Sequence, residues 1–336
     1  MIRIISDDLT GANDAAVQFA NLGFRTLTVL DSDYTLPSTY QVVAASTGSR
    51  ALPQKEARQV VASHALSLQI WHGDILFKKI DSALRGNIGV EIGALLSTLP
   101  WAKAVLVAPA FPANGRITRG GHQLINAVPV HETEMAQDPI NPVTESYLPA
   151  VLGQQYGEGI GYLPIVNVLQ GAEEVRSTIE AVAASGVKII IADATSQEHL
   201  DILARAIVED PTIIPCGSAG LASALAGVLA EREDPVRSAF SAGLDAPSSI
   251  LGMVGSKSAT SVQQVRRVKT ELPWVKEIAV SPSRLGRCQL RGFEIERVGW
   301  LVDEVKRGQS VFLYLNQEEG TLTGGLEVLD ASLICT

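Results

Sequence analysis

Little in this sequence could staple it, anchor it in a bilayer or hold it to a polyanion. Only three cysteines occur, Cys216, Cys288 and Cys335, and they are odd in number, far apart and without Cys-x-x-Cys spacing. That pattern gives neither a disulfide framework nor a zinc site, and it suits a reducing cytoplasm. No apolar stretch approaches the roughly eighteen residues of a membrane span, and no basic start with a long apolar core follows Met1. Basic residues are in deficit: 27 Lys and Arg stand against 36 Asp and Glu, for a formal net charge of -9. A nucleic-acid binder usually carries a basic face, so that class is disfavoured, while a local basic pocket for a small anion is not. There is no repeat of 20 to 50 residues and no low-complexity tract. What is present, 336 residues at 46% hydrophobic and 19% charged, is ordinary for a soluble chain of two domains.

Short apolar runs alternate with stretches of helical spacing, the pattern of an α/β protein with a mainly parallel sheet. Strands are predicted at 2–6, 26–30, 42–46, 75–80, 104–108, 163–168, 188–192, 212–216, 250–254, 276–280 and 311–315. Helices are predicted at 11–22, 53–68, 88–99, 172–184, 198–209, 218–231 and 259–272. The segment "REDPVRSAFSAGLDAPSS", 232–249, mixes charge with Pro, Gly and Ser and reads as a linker between domains 1–235 and 248–336.

In open α/β sheets ligands bind beyond the carboxyl ends of the strands, where helix N-termini offer free N–H groups. Four stretches fall at such places. "SDDLTGAND" follows the first strand, and either Asp or Thr10 can cap the helix beginning near Gly11. Capping uses one acceptor, so the second of Asp7 and Asp8 is expected to be left for a hydroxyl, a cation or a proton in transit. The Asp-x-Asp spacing of an aspartyl-phosphate nucleophile is absent. "KKIDSALRGNIG", 78–89, places Lys79, Asp81, Arg85, Gly86 and Asn87 where another strand runs into a helix. Arg85 can grip a carboxylate through two parallel hydrogen bonds, Lys79 can act as a point charge, and the helix start adds N–H donors. The competing reading is an ordinary surface pair between Asp81 and Arg85. "APAFPANGRITRGGHQL", 108–124, is a stiff loop whose Asn114–Gly115–Arg116 turn presents a guanidinium, and its His122 has no partner spacing. "MVGSKSATSVQQV", 253–265, is a strand, a Gly-Ser turn and a helix, an anion cradle at Gly255 with Ser256 and Ser258 as donors but without the Gly-Lys-Ser/Thr of a P-loop.

Taken in order, "DDLTGANDAAVQFA", "KKIDSALRGNIG", "APAFPANGR" and "DPINPVTESYLP" resemble the N-terminal domain of the four-carbon acid sugar kinases. "GSKSATSVQQV" is similar to the start of their nucleotide-binding C-terminal domain. The resemblance implies an α/β fold of two domains, each a mainly parallel sheet flanked by helices, with the active site in the interdomain cleft. It implies ATP-dependent phosphorylation of a hydroxyl of D-threonate or D-erythronate, with 3-oxo-tetronate less favoured, using ATP and Mg²⁺ and with no resolved metal ligands. A cytoplasmic enzyme that forms a homodimer and meets neither nucleic acid nor membrane is what the family would give.

On that reading Asp7 and Asp8 are catalytic. Asp8, Lys79, Asp81, Arg85, Gly86, Asn87, Asn114 and Arg116 bind the sugar acid, and Gly255, Ser256, Ser258, Gly324 and Gly325 bind the nucleotide. Two departures stand out. "LTGGLEV", 322–328, keeps only the Gly-Gly of a Gly-Gly-Asp/Glu-Thr motif, and a late Lys-x-Gly-x-Phe-Gly motif is missing, so the second domain is expected to be truncated. Lys257 stands where many members have Cys. The alternative is therefore a non-catalytic sugar-acid-binding module without a complete ATP site. A sugar-acid dehydrogenase is disfavoured, because no Gly-x-Gly-x-x-Gly turn follows the first strand.

Overall fold

A computed structural model describes residues 1–30, 39–232, 249–255, 259–280 and 292–315. The chain forms two compact units, Met1–Ala239 and Phe240–Thr336. In the first, eight strands make one parallel sheet in the order β2-β3-β1-β4-β11-β5-β10-β9. Its members are β1 (Ile2–Ser6), β2 (Thr26–Val29), β3 (Val42–Ser46), β4 (Ile75–Lys79), β5 (Ala104–Ala108), β9 (Ile160–Leu163), β10 (Ile189–Ala192) and β11 (Ile213–Gly217).

The sheet is buried on both sides because its strands alternate between two apolar sets, as a period of two demands. Ile2, Ile4, Phe77, Ala104, Leu106, Ile190 and Ala192 belong to one core, with α1 (Leu9–Ala20), α6 (Ala172–Ala184), α7 (Gln197–Ile207) and α8 (Ala219–Arg232) packed on it. Ile5, Leu76, Val105, Val107, Ile189 and Ile191 belong to the other, covered by α2 (Gln54–Ser67), α3 (Ile88–Thr98) and α4 (Leu148–Tyr156). Helix α1 shows why the sequence folds so: Ala12, Ala15, Ala16 and Phe19 recur at helical spacing and are all buried.

Two differences from the predicted elements have local causes. The run 163–168 is not a strand: β9 ends at Leu163, and Ile165–Val168 forms the short helix α5. Pro164 has no N–H for the ladder, and the next free N–H, on Ile165, donates to Asp193 at 3.3 Å. The supposed surface loop after β5 contains a small antiparallel sheet, β6 (Arg116–Arg119), β7 (His122–Ile125) and β8 (Val128–Pro129). Gly120 and Gly121, at φ 62° and 75°, supply the two left-handed residues its tight turn needs.

The second unit contains a parallel sheet of three strands, β12-β14-β13, made from β12 (Leu251–Val254), β13 (Lys276–Val280) and β14 (Val311–Leu315). Its helices among the described residues are α9 (Ala259–Glu271) and α10 (Gly292–Lys306). No helix among the described residues is long and apolar enough to cross a membrane.

Candidate active site

Because all strands of the large sheet are parallel, their carboxyl ends share one edge. Neighbouring strands β1 and β4 are followed by helices on opposite faces, α1 and α3, the arrangement that in open α/β sheets favours a ligand crevice between strand ends. Asp7 and Asp8 leave β1 on one side, and the end of β4 with the following Ile80–Asp81 lies on the other.

Asp8 caps α1: its Oδ1 accepts the Gly11 N–H at 2.7 Å. The other carboxylate is not free, contrary to the expectation from capping alone. Arg50, on the loop after β3, donates from Nε to Asp7 Oδ2 at 2.6 Å and from Nη2 to Asp7 Oδ1 at 3.1 Å. Its Nη1 also donates to Asp8 Oδ2 at 2.7 Å. Burial opposes the charge of Arg50, but hydrogen bonding and attraction from Asp7, with Asp81 and Asp8 adding to it, raise its pKa.

The two lysines of β4 have different fates, since adjacent residues of a strand face opposite ways. Lys78 Nζ pairs with Glu91 Oε2 of α3 at 2.7 Å, both side chains fully shielded from solvent. Glu91 Oε1 accepts Ser49 Oγ–H at 2.6 Å, so this pair lies directly beneath the loop that carries Arg50. Lys79 is also buried, yet its ammonium donates only to the Ile80 carbonyl, at 3.0 Å, and forms no ion pair among the described residues. Burial lowers its pKa even though Asp7, Asp14, Asp81 and Asp8 all attract its charge. A Cβ on Gly11 would stand 2.6 Å from Asp8 Oδ1 and from Ser6 Oγ, and 3.2 Å from Lys79 Nζ, so glycine there is what admits these polar groups.

Arg85 is already paired. Its Nε donates to Asp81 Oδ2 at 2.6 Å, and its Nη1 to Asp138 Oδ2 at 3.1 Å. Burial opposes the ionisation of Asp81, but Arg85 first, then Arg50 and Lys79, more than compensate and hold its pKa below the usual value. Gly86, at φ 96°, lies against Arg50, with its Cβ position 3.1 Å from Arg50 Cγ. Asn87 stands at the start of α3 but aims its amide elsewhere, donating to the carbonyls of Ser49 and Leu52 at 3.0 and 2.9 Å. Both residues therefore shape the Arg50 loop.

Asn114 lies on the loop leaving β5 and is exposed, whereas Arg116 opens β6, half-buried with its Nε–H unpaired among the described residues. No hydrogen bond or ion pair joins them to the Asp7 cluster among the described residues. His122 is exposed, bonded to Ser146 at 2.9 Å and stacked on Tyr147. In the second unit Gly255 follows β12 and is exposed, whereas Ser256, Ser258, Gly324 and Gly325 lie outside the described residues.

Sequence reasoning missed Arg50, Glu91 and Asp138. The rule that selected Asp7 also applies to "STGSR" after the strand 42–46, and a lone acid in the apolar helix "IGVEIGALL" marks a buried charge that needs a partner.

An open parallel sheet that gathers acids and bases at the carboxyl ends of its strands is the arrangement on which α/β domains receive small polar ligands. The chain belongs to the family of the sugar-binding N-terminal domain, whose model matches residues 2–225. It is 34% identical over 277 residues to the D-erythronate kinase of Heliobacterium modesticaldum, covering 80% of this chain and 60% of that protein. To the D-threonate kinase of Salmonella typhimurium it is 35% identical over 227 residues, 66% of this chain and 52% of the relative. The chain thus spans between half and three-fifths of the length of these two kinases. A crystal structure from Salmonella typhimurium LT2 matches with a TM-score of 0.76 at 25% identity, covering 94% of this chain and 74% of that one. A domain of unknown function from Bordetella bronchiseptica, a domain-swapped dimer with bound citrate, matches with a TM-score of 0.60 at 29% identity, covering 96% and 76%.

Proposed function

We propose that the unit Met1–Ala239 binds a four-carbon sugar acid, D-threonate or D-erythronate, and that the protein phosphorylates one of its hydroxyls with ATP. The observation that carries this reading is the cluster at the ends of β1 and β4: a clamped pair of carboxylates beside a buried ammonium that has no acid partner among the described residues. Carboxylates accept hydroxyl protons, and a buried ammonium with unspent donors attracts an anionic oxygen. The names of the two kinases support the substrate class, and citrate, itself a hydroxy acid, is bound in the Bordetella relative.

The chemistry needs little covalent help. One of Asp7 and Asp8 takes the proton of the attacking hydroxyl as its oxygen bonds to the γ-phosphorus, and ADP leaves with the bridging electron pair. Lys79 meets the substrate carboxylate, and Arg85 or Arg116 joins it by reaching from its own loop. The nucleotide is assigned to the second unit, at Gly255, Ser256, Ser258, Gly324 and Gly325. Mg²⁺ would arrive on the phosphates of ATP, which supply much of its coordination. No group of three or more potential metal ligands gathers among the described residues, and the oxygens of Asp7 and Asp8 are already hydrogen-bonded, so no side chain is assigned to the metal. A cytoplasmic homodimer completes the proposal.

One observation favours a second reading. The family model matches residues 2–225, within the first unit, which is compatible with a sugar-acid-binding module that does not turn over ATP by itself. Calorimetry with D-threonate, D-erythronate and ATP, alongside a phosphorylation assay on the same tetronates, separates the two. Tetronate binding with turnover supports the kinase, and tetronate binding without nucleotide affinity supports the module. Failure of both tetronates to bind at millimolar concentration refutes the sugar-acid reading.

A further inference from the structure

Asp7 and Asp8 are neighbours with the same side chain, yet their surroundings are not alike. Asp7 has its side chain 4% exposed and both oxygens engaged by Arg50, whereas Asp8 is 28% exposed and meets Arg50 through Oδ2 only. We propose that Arg50 is the positioning residue of this site: it takes up Asp7 and leaves Asp8 as the carboxylate that meets the substrate hydroxyl. The proposal rests on the sugar-acid reading above, which supplies the hydroxyl.

The construction around Arg50 argues for this division of labour. An isolated exposed ion pair contributes little and needs no scaffold. Here all three guanidinium nitrogens point at acids, a fork geometry that fixes the relative placement of both carboxylates. The loop that delivers Arg50 is tethered from several directions. Thr47 donates its N–H to Ser6 O at 2.9 Å, and Arg50 donates its own to Asp7 O at 3.3 Å, which join the loop to the end of β1. Asn87 holds the carbonyls of Ser49 and Leu52, and Ser49 Oγ is bound to the Lys78–Glu91 pair below. Asp7 is therefore the buried counter-charge that seats Arg50, and Arg50 in turn steadies Asp8, whose side chain keeps 28% of its surface exposed at the end of β1. Asp8 is also fixed from its other side by capping α1, so its orientation is set twice.

The test uses the full chain with Arg50→Lys, Arg50→Gln, Asp7→Asn and Asp8→Asn, reading both thermal melting and calorimetric affinity for D-threonate and D-erythronate. Lysine keeps the charge but cannot hold two carboxylates in register, so Arg50→Lys should melt close to the wild type and still bind the tetronate about tenfold or more weakly. A purely structural Arg50 would make affinity follow melting across the series. Asp8→Asn should stay folded and abolish turnover or tight binding, while Asp7→Asn should chiefly lower the melting temperature. Wild-type affinity in Arg50→Lys, or equal functional losses in folded Asp7→Asn and Asp8→Asn, overturns the proposal. If the wild type binds no tetronate, the sugar-acid reading fails, and melting alone decides the pairing. Arg50→Gln must then cost less in the Asp7→Asn background than in the Asp8→Asn background, and an equal cost in both refutes it.

Discussion

Replacing Glu91 by Gln keeps the shape of the side chain and removes only its charge, which isolates the energetics of the pair beneath the candidate site. Lys78 Nζ lies 2.7 Å from Glu91 Oε2, and their side chains are 0% and 1% exposed. Burial disfavours the ammonium, but attraction from Glu91, then Asp7, outweighs it and raises its pKa. With Gln at 91 the ammonium stays buried without a compensating charge, a change that typically costs about 3–5 kcal/mol. Given a urea slope of about 2 kcal/mol/M, the unfolding midpoint should fall by about 2 M. The double variant Lys78→Met/Glu91→Leu removes both charges and should recover most of the loss, less about 1 kcal/mol for the acceptor taken from Ser49. The pH dependence has a definite sign. A lysine whose folded pKa is raised stabilises the fold fully below its unfolded value near 10.5, and that contribution disappears as pH rises through the folded value. The gap between wild type and Glu91→Gln should thus be constant at neutral pH and close only in strong alkali. Equilibrium urea unfolding followed by far-ultraviolet circular dichroism measures all three proteins. A cost below about 1 kcal/mol for Glu91→Gln, or a double variant no more stable than the single one, would refute the reasoning.

Three further outcomes follow from other buried groups. Asp193 accepts the N–H groups of Gly120 and Gly121 at 2.9 and 3.0 Å and the Tyr162 hydroxyl at 2.7 Å, so Asp193→Ala should destabilise the fold by about 3 kcal/mol and speed amide exchange in β6 and β7. Asp81 has a lowered pKa, so its contribution is present above its ordinary value of 3.8 and is lost as pH falls through the folded one. Asp81→Asn should therefore show a flatter acid-unfolding limb than the wild type, and an unchanged limb in acid titration by circular dichroism contradicts this. Burial pushes the Cys216 thiol up to about 12. With Cys288 and Cys335 replaced by Ser, Cys216 should resist an aromatic disulfide reagent at pH 8 and react only when denaturant is added.

The large sheet was legible because its strands carry the alternation that burial on both faces requires, and because strand ends in an α/β chain mark one edge. That Asp7, Asp8 or Thr10 caps the first helix was legible for a local reason, and the fold selects Asp8, whose accepted backbone N–H is three residues away. Reading failed where a single residue overrides the run around it, as Pro164 does after Leu163, and where strands of four residues are set by a Gly-Gly turn, as in β6 and β7. It failed more seriously at Arg50, whose partner Asp7 lies 43 residues away and is chosen by folding, not by spacing. That omission changed the meaning of the acids. Seen as sequence, Asp7 and Asp8 looked like one capping group and one vacancy; in the fold both are hydrogen-bonded by a single guanidinium. Arg85, expected to be the carboxylate grip, is likewise occupied by Asp81 and Asp138. An anion arriving at the ends of β1 and β4 must either displace one of these pairs or meet the cation of the cluster that has no acid partner among the described residues. Displacement breaks a charge-assisted hydrogen bond for each new one it makes, whereas Lys79 has unspent donors and gains the counter-charge that its burial denies it. For the sugar acid proposed above, the balance favours Lys79 as the point where its charge is first neutralised.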